Sequence, residues 1–425
     1  MPPDSPALEE KAPAGTAARV KILLVFAALL YFFTNIQRVA IPGAVFNQLQ
    51  EKYQLSAPYI TALGAIFMYV YAGMQLVVGL LADRFGGFRT MLLGGAVFSV
   101  GSLWFPYTET PLPMYVARAL TGLGGSMIYL SLIQETIAAF PKNYTIMVAA
   151  MIMAGYAGGI TANAPFSALV NSCGLDPTLL GVGVLTLLCF LLYSGVLTTV
   201  KLPAVRASSF HPEKFLEVLK VRHNRHLFLF IGLNWGIYYV IQTVIGKKYL
   251  EDCCGISQGT AAWVLSAMGF LSAVAGFSFA VISRHIGNRR RVFCRISGVM
   301  CATALLGITV LTAAAGGWLP AVLFCCLATT ASMTSIAIPL LKETNDPALA
   351  GSAIAFMNFC SYVSVAVLGN AAGFLLNIFP PERVGNVLVY SRWSYLALLV
   401  PMCAGALVVL RYSWRMREPC EENNN

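Results

Sequence analysis

The sequence predicts an all-α membrane protein with twelve transmembrane helices in two six-helix bundles. Three observations lead to this prediction. Of the 425 residues, 58% are hydrophobic and only 11% are charged, and the mean hydropathy is +0.72, so the composition is that of a chain embedded in a bilayer. Twelve apolar segments are long enough to cross about 30 Å of hydrocarbon. A charged, glycine-bearing turn also recurs in the two halves, which indicates an internal repeat.

The twelve apolar segments, named spans 1 to 12, are continuously apolar and do not alternate. This pattern indicates helices and not a barrel, because only a helix satisfies all its backbone groups within one segment. The predicted spans are approximately 22–45, 59–81, 90–106, 114–138, 145–169, 178–200, 227–246, 259–282, 292–314, 318–341, 351–377 and 393–411.

A hydrophilic stretch, 201–226, divides the spans into two sets of six. It is predicted to link an N-terminal bundle, 21–200, to a C-terminal bundle, 227–411. Two cytoplasmic tails are predicted, 1–20 and 412–425, of which the first is typical of disordered segments because it is rich in Pro, Ala and charges of both signs. Apolar residues at helical spacing within Glu213–Lys220 predict a short amphipathic helix at the membrane surface.

Most of the 28 Lys and Arg residues fall on the side of the membrane that holds both chain ends. Because basic loops remain in the cytoplasm, both termini are predicted to be cytoplasmic in a multi-pass protein of a bacterial inner or plasma membrane. The formal charge of +10 then lies where anionic lipid head groups attract it. The bilayer therefore accounts for the charge without a nucleic-acid partner.

The 11 cysteines are scattered, and most lie within predicted spans, where they pack as small apolar side chains. Their spacing matches no metal site, and no metal or other cofactor is predicted. Cys173, Cys253 and Cys254 fall on the side opposite the chain ends. Whether two of them form a disulfide depends on their separation in space, which the sequence does not give.

The repeated turn is the segment Gly79–Gly86, with the sequence GLLADRFG, between spans 2 and 3. A degenerate copy, RHIGNRR, begins at Arg284 after span 8, and span 4 carries RALTGLG from Arg118. Together with twelve spans in two halves, these motifs resemble the major facilitator superfamily over nearly the whole chain. The chain departs from the family pattern because Gly87 and Phe88 replace basic residues and Arg284 stands at the aspartate position of the second turn.

The resemblance implies a gate on the cytoplasmic side. Asp83 would lie against the N-terminus of span 11, where helix-end N–H groups favour a negative charge. Arginines of the two turns would pair with glutamates that end spans 4 and 10 when the carrier is open outward, and would part when it opens inward. The alternative is that these loop charges only set topology. The predicted gating residues are Gly79, Asp83, Arg84, Gly86, Glu135, Arg284, Arg289 and Glu343.

Two arginines within spans, Arg38 in span 1 and Arg118 in span 4, are candidate ligands because a charge there costs about 2.5–3.5 kcal/mol on insertion scales. No carboxylate at similar depth is evident, so the predicted cavity is positive and its substrate an organic anion, such as a carboxylate, an amino acid or a phosphorylated metabolite. Arg118 resembles a family arginine linked to proton coupling, and pairing with a backbone carbonyl is its alternative.

Polar side chains at helical intervals of three or four residues mark the faces expected to line this cavity. Their alternative role is hydrogen bonding between helices. With the two arginines, the candidate substrate-binding residues are Tyr31, Asn35, Arg38, Arg118, Asn234, Tyr238, Gln242, Asn358 and Tyr362.

The expected function is secondary active transport of a small organic anion or amino acid by alternating access, with proton-coupled uptake. The expected partners are the anionic solute, a proton or other coupling ion, and the lipid bilayer around a monomer. Export of a metabolite or drug and a non-translocating receptor are the alternatives. Span 5 has Gly158-Gly159 in place of the Gly-Pro pair of the antiporter signature. An enzyme is not expected, because no catalytic constellation and no phosphate-binding loop are evident.

Overall fold

The computed structural model describes residues 14–200, 213–287, 289–315 and 317–416. Within these residues, eleven helices are long and apolar enough to cross a membrane, and a twelfth span is formed if the bent pair Ile146–Thr161 and Ala164–Cys173 is taken together. The predicted all-α fold of twelve spans in two six-helix bundles is confirmed. Most of the predicted tails and the first part of the linker, 201–212, lie outside the described residues.

The N-terminal half contains spans 1 to 6. Span 5 is bent by 45° because Pro165 has no backbone N–H to donate across the break. The helices are Ala14–Ala40 (span 1), Ala57–Gln75 (span 2), Gly87–Trp104 (span 3), Pro111–Ala139 (span 4), Tyr144–Thr161 with Ala164–Cys173 (span 5) and Leu175–Leu197 (span 6); short helices at Gly43–Val45, Phe46–Tyr53, Val78–Phe85 and Phe105–Tyr107 join them.

The C-terminal half contains spans 7 to 12, and spans 7 and 10 each include a local change of helix type. Span 7 is Arg222–Val240, a π-helical turn Ile241–Ile245, and Gly246–Asp252; span 10 is Leu319–Thr330, a 3-10 turn Ala331–Met333, and Thr334–Thr344. The remaining spans are Gln258–His285 (span 8), Arg290–Ala313 (span 9), Pro347–Leu376 (span 11) and Arg392–Ser413 (span 12). Between spans 11 and 12, strands Glu382–Val384 and Val387–Val389 form an antiparallel hairpin in which Arg383 is paired with Leu388.

Two segments that the sequence placed outside the bundles are helical. The helix of span 1 begins at Ala14, within the predicted tail, because the alanine-rich stretch before the apolar segment has high helix propensity. The predicted helix Glu213–Lys220 is present and packs against spans 7 and 11, where it buries Val218.

Successive spans alternate in direction, so the molecule has two sides. The terminal side holds the start of span 1 and the end of span 12, and the distal side holds the loops that follow the odd-numbered spans. The two halves meet mainly where span 2 packs against span 11 and span 5 against span 8. The site described next lies between the halves, beside spans 2 and 11.

Candidate functional site

Arg38 lies between the two halves, two residues before the end of the span 1 helix, and is only 9% exposed. One terminal nitrogen, Nη1, donates to the hydroxyl of Tyr362 in span 11 at 3.2 Å, and Nη2 donates to Oδ1 of Asn35. The side-chain amide nitrogen of Asn35 donates to the carbonyl of Tyr31 at 2.8 Å, which turns its oxygen toward the guanidinium. The Nε of Arg38 has no hydrogen-bond partner.

Three tyrosine rings surround the Arg38 guanidinium. Its central carbon is 5.6 Å from the ring centroid of Tyr239, 5.8 Å from that of Tyr71 and 5.9 Å from that of Tyr362. Such cation–π contacts stabilise a charge that is partly removed from water. These residues come from spans 1, 2, 7 and 11, so the cluster joins the halves; we name Arg38, Tyr71, Tyr239 and Tyr362 the arginine cluster.

Several polar atoms next to Arg38 have no partner. They are the hydroxyls of Tyr71 and Tyr239 and the indole nitrogen of Trp235, whose ring stacks on Tyr239 at 5.1 Å. A buried polar group without a partner costs about 1–3 kcal/mol, and such groups in a native protein require an explanation. Together with Arg38 Nε, they form a set of hydrogen-bond donors suited to an anion.

Of the residues predicted to bind substrate, Tyr31, Asn35, Arg38 and Tyr362 come together here. Tyr31 stacks on Tyr129 of span 4 at 5.1 Å. On span 7, the residue that contacts Arg38 is Tyr239. The predicted ligand on this helix was its neighbour Tyr238. Tyr239 and Tyr71 were not predicted as ligands, and Tyr71 has no sequence signal because a tyrosine within an apolar span more often packs between helices than binds a ligand.

Arg118 is engaged by the backbone. Its Nε, Nη1 and Nη2 donate to the carbonyl oxygens of Leu63, Gln37 and Ile41 at 3.1, 3.1 and 3.2 Å, and it is 1% exposed. Two of these carbonyls belong to the end of span 1, where the helix dipole favours a positive charge. The structure therefore has the carbonyl pairing that was the alternative to a substrate contact.

Asn234 lies inside the C-terminal half. Its side-chain nitrogen donates to Thr330 O at 2.7 Å and to Ser297 Oγ at 3.1 Å, so it bonds spans 7, 9 and 10 together. Three other predicted substrate residues lie near the arginine cluster but do not hydrogen-bond to Arg38: Tyr238 is buried beside Trp235 and Tyr239, Gln242 is buried in the π-helical turn, and Asn358 is half-buried one helical turn from Tyr362.

On the distal side, buried side chains of span 7 bond directly to the N-terminal half. Lys247 Nζ donates to Ala44 O at 2.7 Å, and Asn47 Nδ2 donates to Glu251 Oε2 at 2.6 Å. Lys247 and Glu251 also form an ion pair of 3.7 Å. We name Ala44, Asn47, Lys247 and Glu251 the distal latch.

A second buried ion pair lies next to the distal latch in the same helix of span 7. Lys248 pairs with Asp252 at 2.8 Å, with side chains 1% and 4% exposed, and Asp252 Oδ2 accepts the backbone N–H of Tyr390 at 3.0 Å. The Tyr390 hydroxyl accepts bonds from Gln50 Nε2 and Ala57 N in the other half, at 3.0 and 3.1 Å. Burial raises the pKa of Tyr390 to about 12, so this hydroxyl remains protonated at neutral pH.

These distal residues were missed as functional candidates. The available signal was the repeated spacing Lys247 to Glu251 and Lys248 to Asp252, which places two opposite-charge pairs four residues apart at the end of one helix.

On the terminal side, the residues of the first turn bond within the N-terminal half. Asp83 Oδ1 accepts from Gln134 Nε2 at 3.0 Å, and Arg84 is exposed. Glu135 Oε1 accepts the backbone N–H of Phe88 at 3.1 Å, so its carboxylate caps the N-terminus of span 3, a favourable place for a negative charge. Gly86 ends the turn helix with φ +86°, which favours glycine, whereas nothing lies within 4 Å of a Cβ added at Gly79.

The second turn likewise bonds within its own half. Glu343 pairs with Arg290 at 2.6 Å, while Arg284 and Arg289 are exposed. The predicted pairs of Arg84 with Glu135 and of Arg284 or Arg289 with Glu343 are thus not formed in this structure. They were assigned to the state that is closed on this side, so the gating role stays a prediction.

Cys173, Cys253 and Cys254 are free thiols here. Burial raises the pKa of the Cys253 thiol, which disfavours the reactive thiolate.

Comparison with known proteins gives the family. The family model for the Major Facilitator Superfamily matches residues 24–369. The chain is also similar to a bacterial homologue of the human lysosomal transporter Spinster, solved in an inward-facing and unoccupied conformation, with a TM-score of 0.72 and 14% identity over 94% of this chain and 97% of the other.

Three relatives are transporters by name. The uncharacterized transporter YycB of Bacillus subtilis is 22% identical over 87% of this chain and 86% of its own length. The uncharacterized transporter YybO of the same organism is 29% identical over 31% of this chain and 30% of its length. The probable anion transporter 3, chloroplastic, of Arabidopsis thaliana is 21% identical over 68% of this chain and 60% of its length. The match thus spans less than two thirds of the length of YybO and of the Arabidopsis protein.

The family match covers most of the chain, the fold agrees along nearly its full length, and the relatives are named as transporters. The chain therefore belongs to the Major Facilitator Superfamily and is a multi-pass membrane protein.

Proposed function

We propose that the chain is a secondary transporter that binds a small organic anion at Arg38 and moves it by alternating access. The observation that carries this proposal is the buried guanidinium of Arg38 between the halves, with its Nε and the hydroxyls of Tyr71 and Tyr239 unpartnered. A carboxylate accepts hydrogen bonds from all of these donors. A relative named as an anion transporter supports the same substrate class.

The proposed anion carries a single negative charge. Arg118 is occupied by three carbonyl oxygens, and Lys247 and Lys248 are paired with carboxylates. Arg290 is buried as well and pairs with Glu343. Among the buried Lys and Arg side chains of the described residues, Arg38 is then the cation offered to the solute, and a second negative charge on the anion would be desolvated without a partner, which is costly. Monocarboxylates fit this balance better than dicarboxylates, phosphates or zwitterionic amino acids, because the ammonium group of a zwitterion would also be buried without a partner beside Arg38.

The arrangement of bonds between the halves supports alternating access. The distal latch and Tyr390 join the halves on the distal side, whereas Asp83, Glu135 and Glu343 bond within their own halves on the terminal side. The proposal places the terminal side in the cytoplasm, by the excess of basic residues there, so this arrangement is the inward-facing state of the cycle.

Coupling to protons and uptake as the direction are further parts of the proposal. Glu251 is the acid best placed to couple a proton, because it is buried and bonds across the halves to Asn47. Lys247, Lys248 and Asp252 are the charged groups around it. Protonation of Glu251 would remove its charge from the distal latch and so favour opening toward the outside.

The proposal is tested by thermal-shift binding and liposome counterflow with a panel of monocarboxylates, amino acids, dicarboxylates and neutral sugars. A ligand at about 100 times its Kd stabilises the native state by about 2.7 kcal/mol. We expect monoanions to give the largest shifts, and Arg38→Gln to weaken their binding by at least about tenfold, since it removes a charge-assisted hydrogen bond. Arg89→Gln, at an exposed terminal-side arginine, is the matched control.

Shifts only with neutral or cationic compounds, or binding that survives Arg38→Gln, would overturn the anion site and favour export of another solute. Binding without counterflow would indicate a receptor instead of a carrier. An uptake rate that does not depend on a pH gradient would overturn proton coupling but would leave the anion site in place.

A further inference from the structure

Gln75, the last residue of the span 2 helix, is a buried amide with no partner. It is 2% exposed, and both its Nε2 and its Oε1 lack a hydrogen bond. A glutamine amide offers two donors and an acceptor oxygen, and leaving such a group buried and unpaired is costly. The Gln75 amide therefore has donors and an acceptor that are available to bind a ligand.

Gln75 lies on the face of span 2 that is turned toward the other half. Gly64, Met68, Tyr71 and Gln75 follow the spacing of one helical face. A Cβ at Gly64 would lie 2.9 Å from Pro42 and 3.9 Å from Val244, which belong to different halves. The opposite face of span 2 exposes Tyr59 and Tyr69.

Gln75 lies one helical turn from the arginine cluster, on its terminal side. Tyr71 precedes it by four residues, with its ring 4.6 Å from that of Tyr362 and 5.8 Å from the Arg38 guanidinium. One turn of helix rises about 5.4 Å. Because spans 2 and 11 run in opposite directions, Asn358, four residues before Tyr362, falls at the same level as Gln75. A layer of two amides thus follows the arginine cluster toward the terminal side.

We propose that Gln75 is a second binding residue, which recognises a neutral hydrogen-bonding group of the transported anion while Arg38 holds its carboxylate. This inference rests on the proposed function. The recognised group would be a hydroxyl or an amide about one helical turn, or about 5 Å, from the carboxylate. The substrate class is then a short hydroxy- or amido-monocarboxylate, and a purely aliphatic acid would leave the Gln75 amide unpaired.

The test compares two probes of equal charge and similar length, 4-hydroxybutanoate and pentanoate, in which a methyl group replaces the hydroxyl. We expect the wild-type protein to bind 4-hydroxybutanoate about tenfold more tightly, the effect of one buried hydrogen bond. Gln75→Leu should reduce this preference to about twofold or less without weakening the binding of pentanoate. Gln75→Met, which better preserves the side-chain length, should do the same, and Gln258→Leu at an exposed position should retain the preference.

The outcomes separate the two proposals. Equal binding of the two probes by the wild-type protein, or a preference that survives both Gln75 variants, overturns the role of Gln75 while Arg38-dependent binding stands. Binding of neither probe, or binding unaffected by Arg38→Gln, overturns the anion site and the role of Gln75 with it.

Discussion

The two sides of the molecule differ in how their charged residues are bonded. On the distal side, buried charges of span 7 bond to the other half through Ala44 and Asn47. On the terminal side, Asp83 and Glu343 bond to partners in their own half. The distal side is therefore joined by bonds across the halves, whereas these terminal-side charges bond within one half. In the proposed function, this difference corresponds to a state that is closed on the distal side.

The difference has a physical basis in burial. The side chains of Lys248 and Asp252 are 1% and 4% exposed, so removing either one leaves a buried charge without a partner. The Glu343 side chain is 39% exposed, so water screens its pair with Arg290. Distal charges therefore determine stability, and terminal charges can exchange partners at low cost.

The largest expected effect is that of Lys248→Met. The substitution keeps the length of the side chain but leaves the buried carboxylate of Asp252 without its ion-pair partner. We therefore expect the free energy of unfolding to fall by about 3–5 kcal/mol. A thermal melt in detergent measures it. Lys52→Met is the matched control, because its pair with Asp176 is half-exposed and contributes about 0–1 kcal/mol. Equal melting temperatures for the two variants would show that the distal pair is not a stability determinant.

A smaller effect is expected for Gly43→Leu, which tests closure on the distal side. A Cβ at Gly43 would lie 3.1 Å from the Cα of Thr243 and closer still to its carbonyl group, and this backbone of span 7 cannot move aside as a side chain could. We expect the distal ends to separate, at a cost of about 1–3 kcal/mol to the closed state. Spin labels at Gln54 and Glu382 would report the increase in distance.

Gly181→Leu is the control for this experiment, because a Cβ there meets nothing within 4 Å. An unchanged distance in Gly43→Leu would contradict the proposal that a tight contact between the short helix Gly43–Val45 and span 7 belongs to the closed state.

The smallest effect on stability is expected for Asp83→Asn on the terminal side. Its bond to Gln134 is retained by an amide oxygen, so the free energy of unfolding should change by less than about 0.5 kcal/mol. Uptake should nevertheless fall, since the predicted gate needs the negative charge when the terminal side closes. Full uptake by correctly inserted protein would remove the gating role of Asp83.

The sequence alone predicted the twelve spans, the two six-helix bundles, the helix Glu213–Lys220 and the position of Arg38 within span 1. These are local properties: the length of an apolar segment, the spacing of apolar residues and the cost of a charge within a span. Each can be read without knowing what packs against the segment.

Only the tertiary structure decided which partners each polar residue has. Helical spacing groups Asn234 with Tyr238, but the rotation of span 7 in the bundle turns Tyr239 toward Arg38 and Asn234 toward Ser297. Arg118 bonds to carbonyls 55 to 81 residues away, and Asn47 to Glu251 across 204 residues. A helix face is a local property, but the neighbour that the face meets depends on how the helices pack, which no short segment determines.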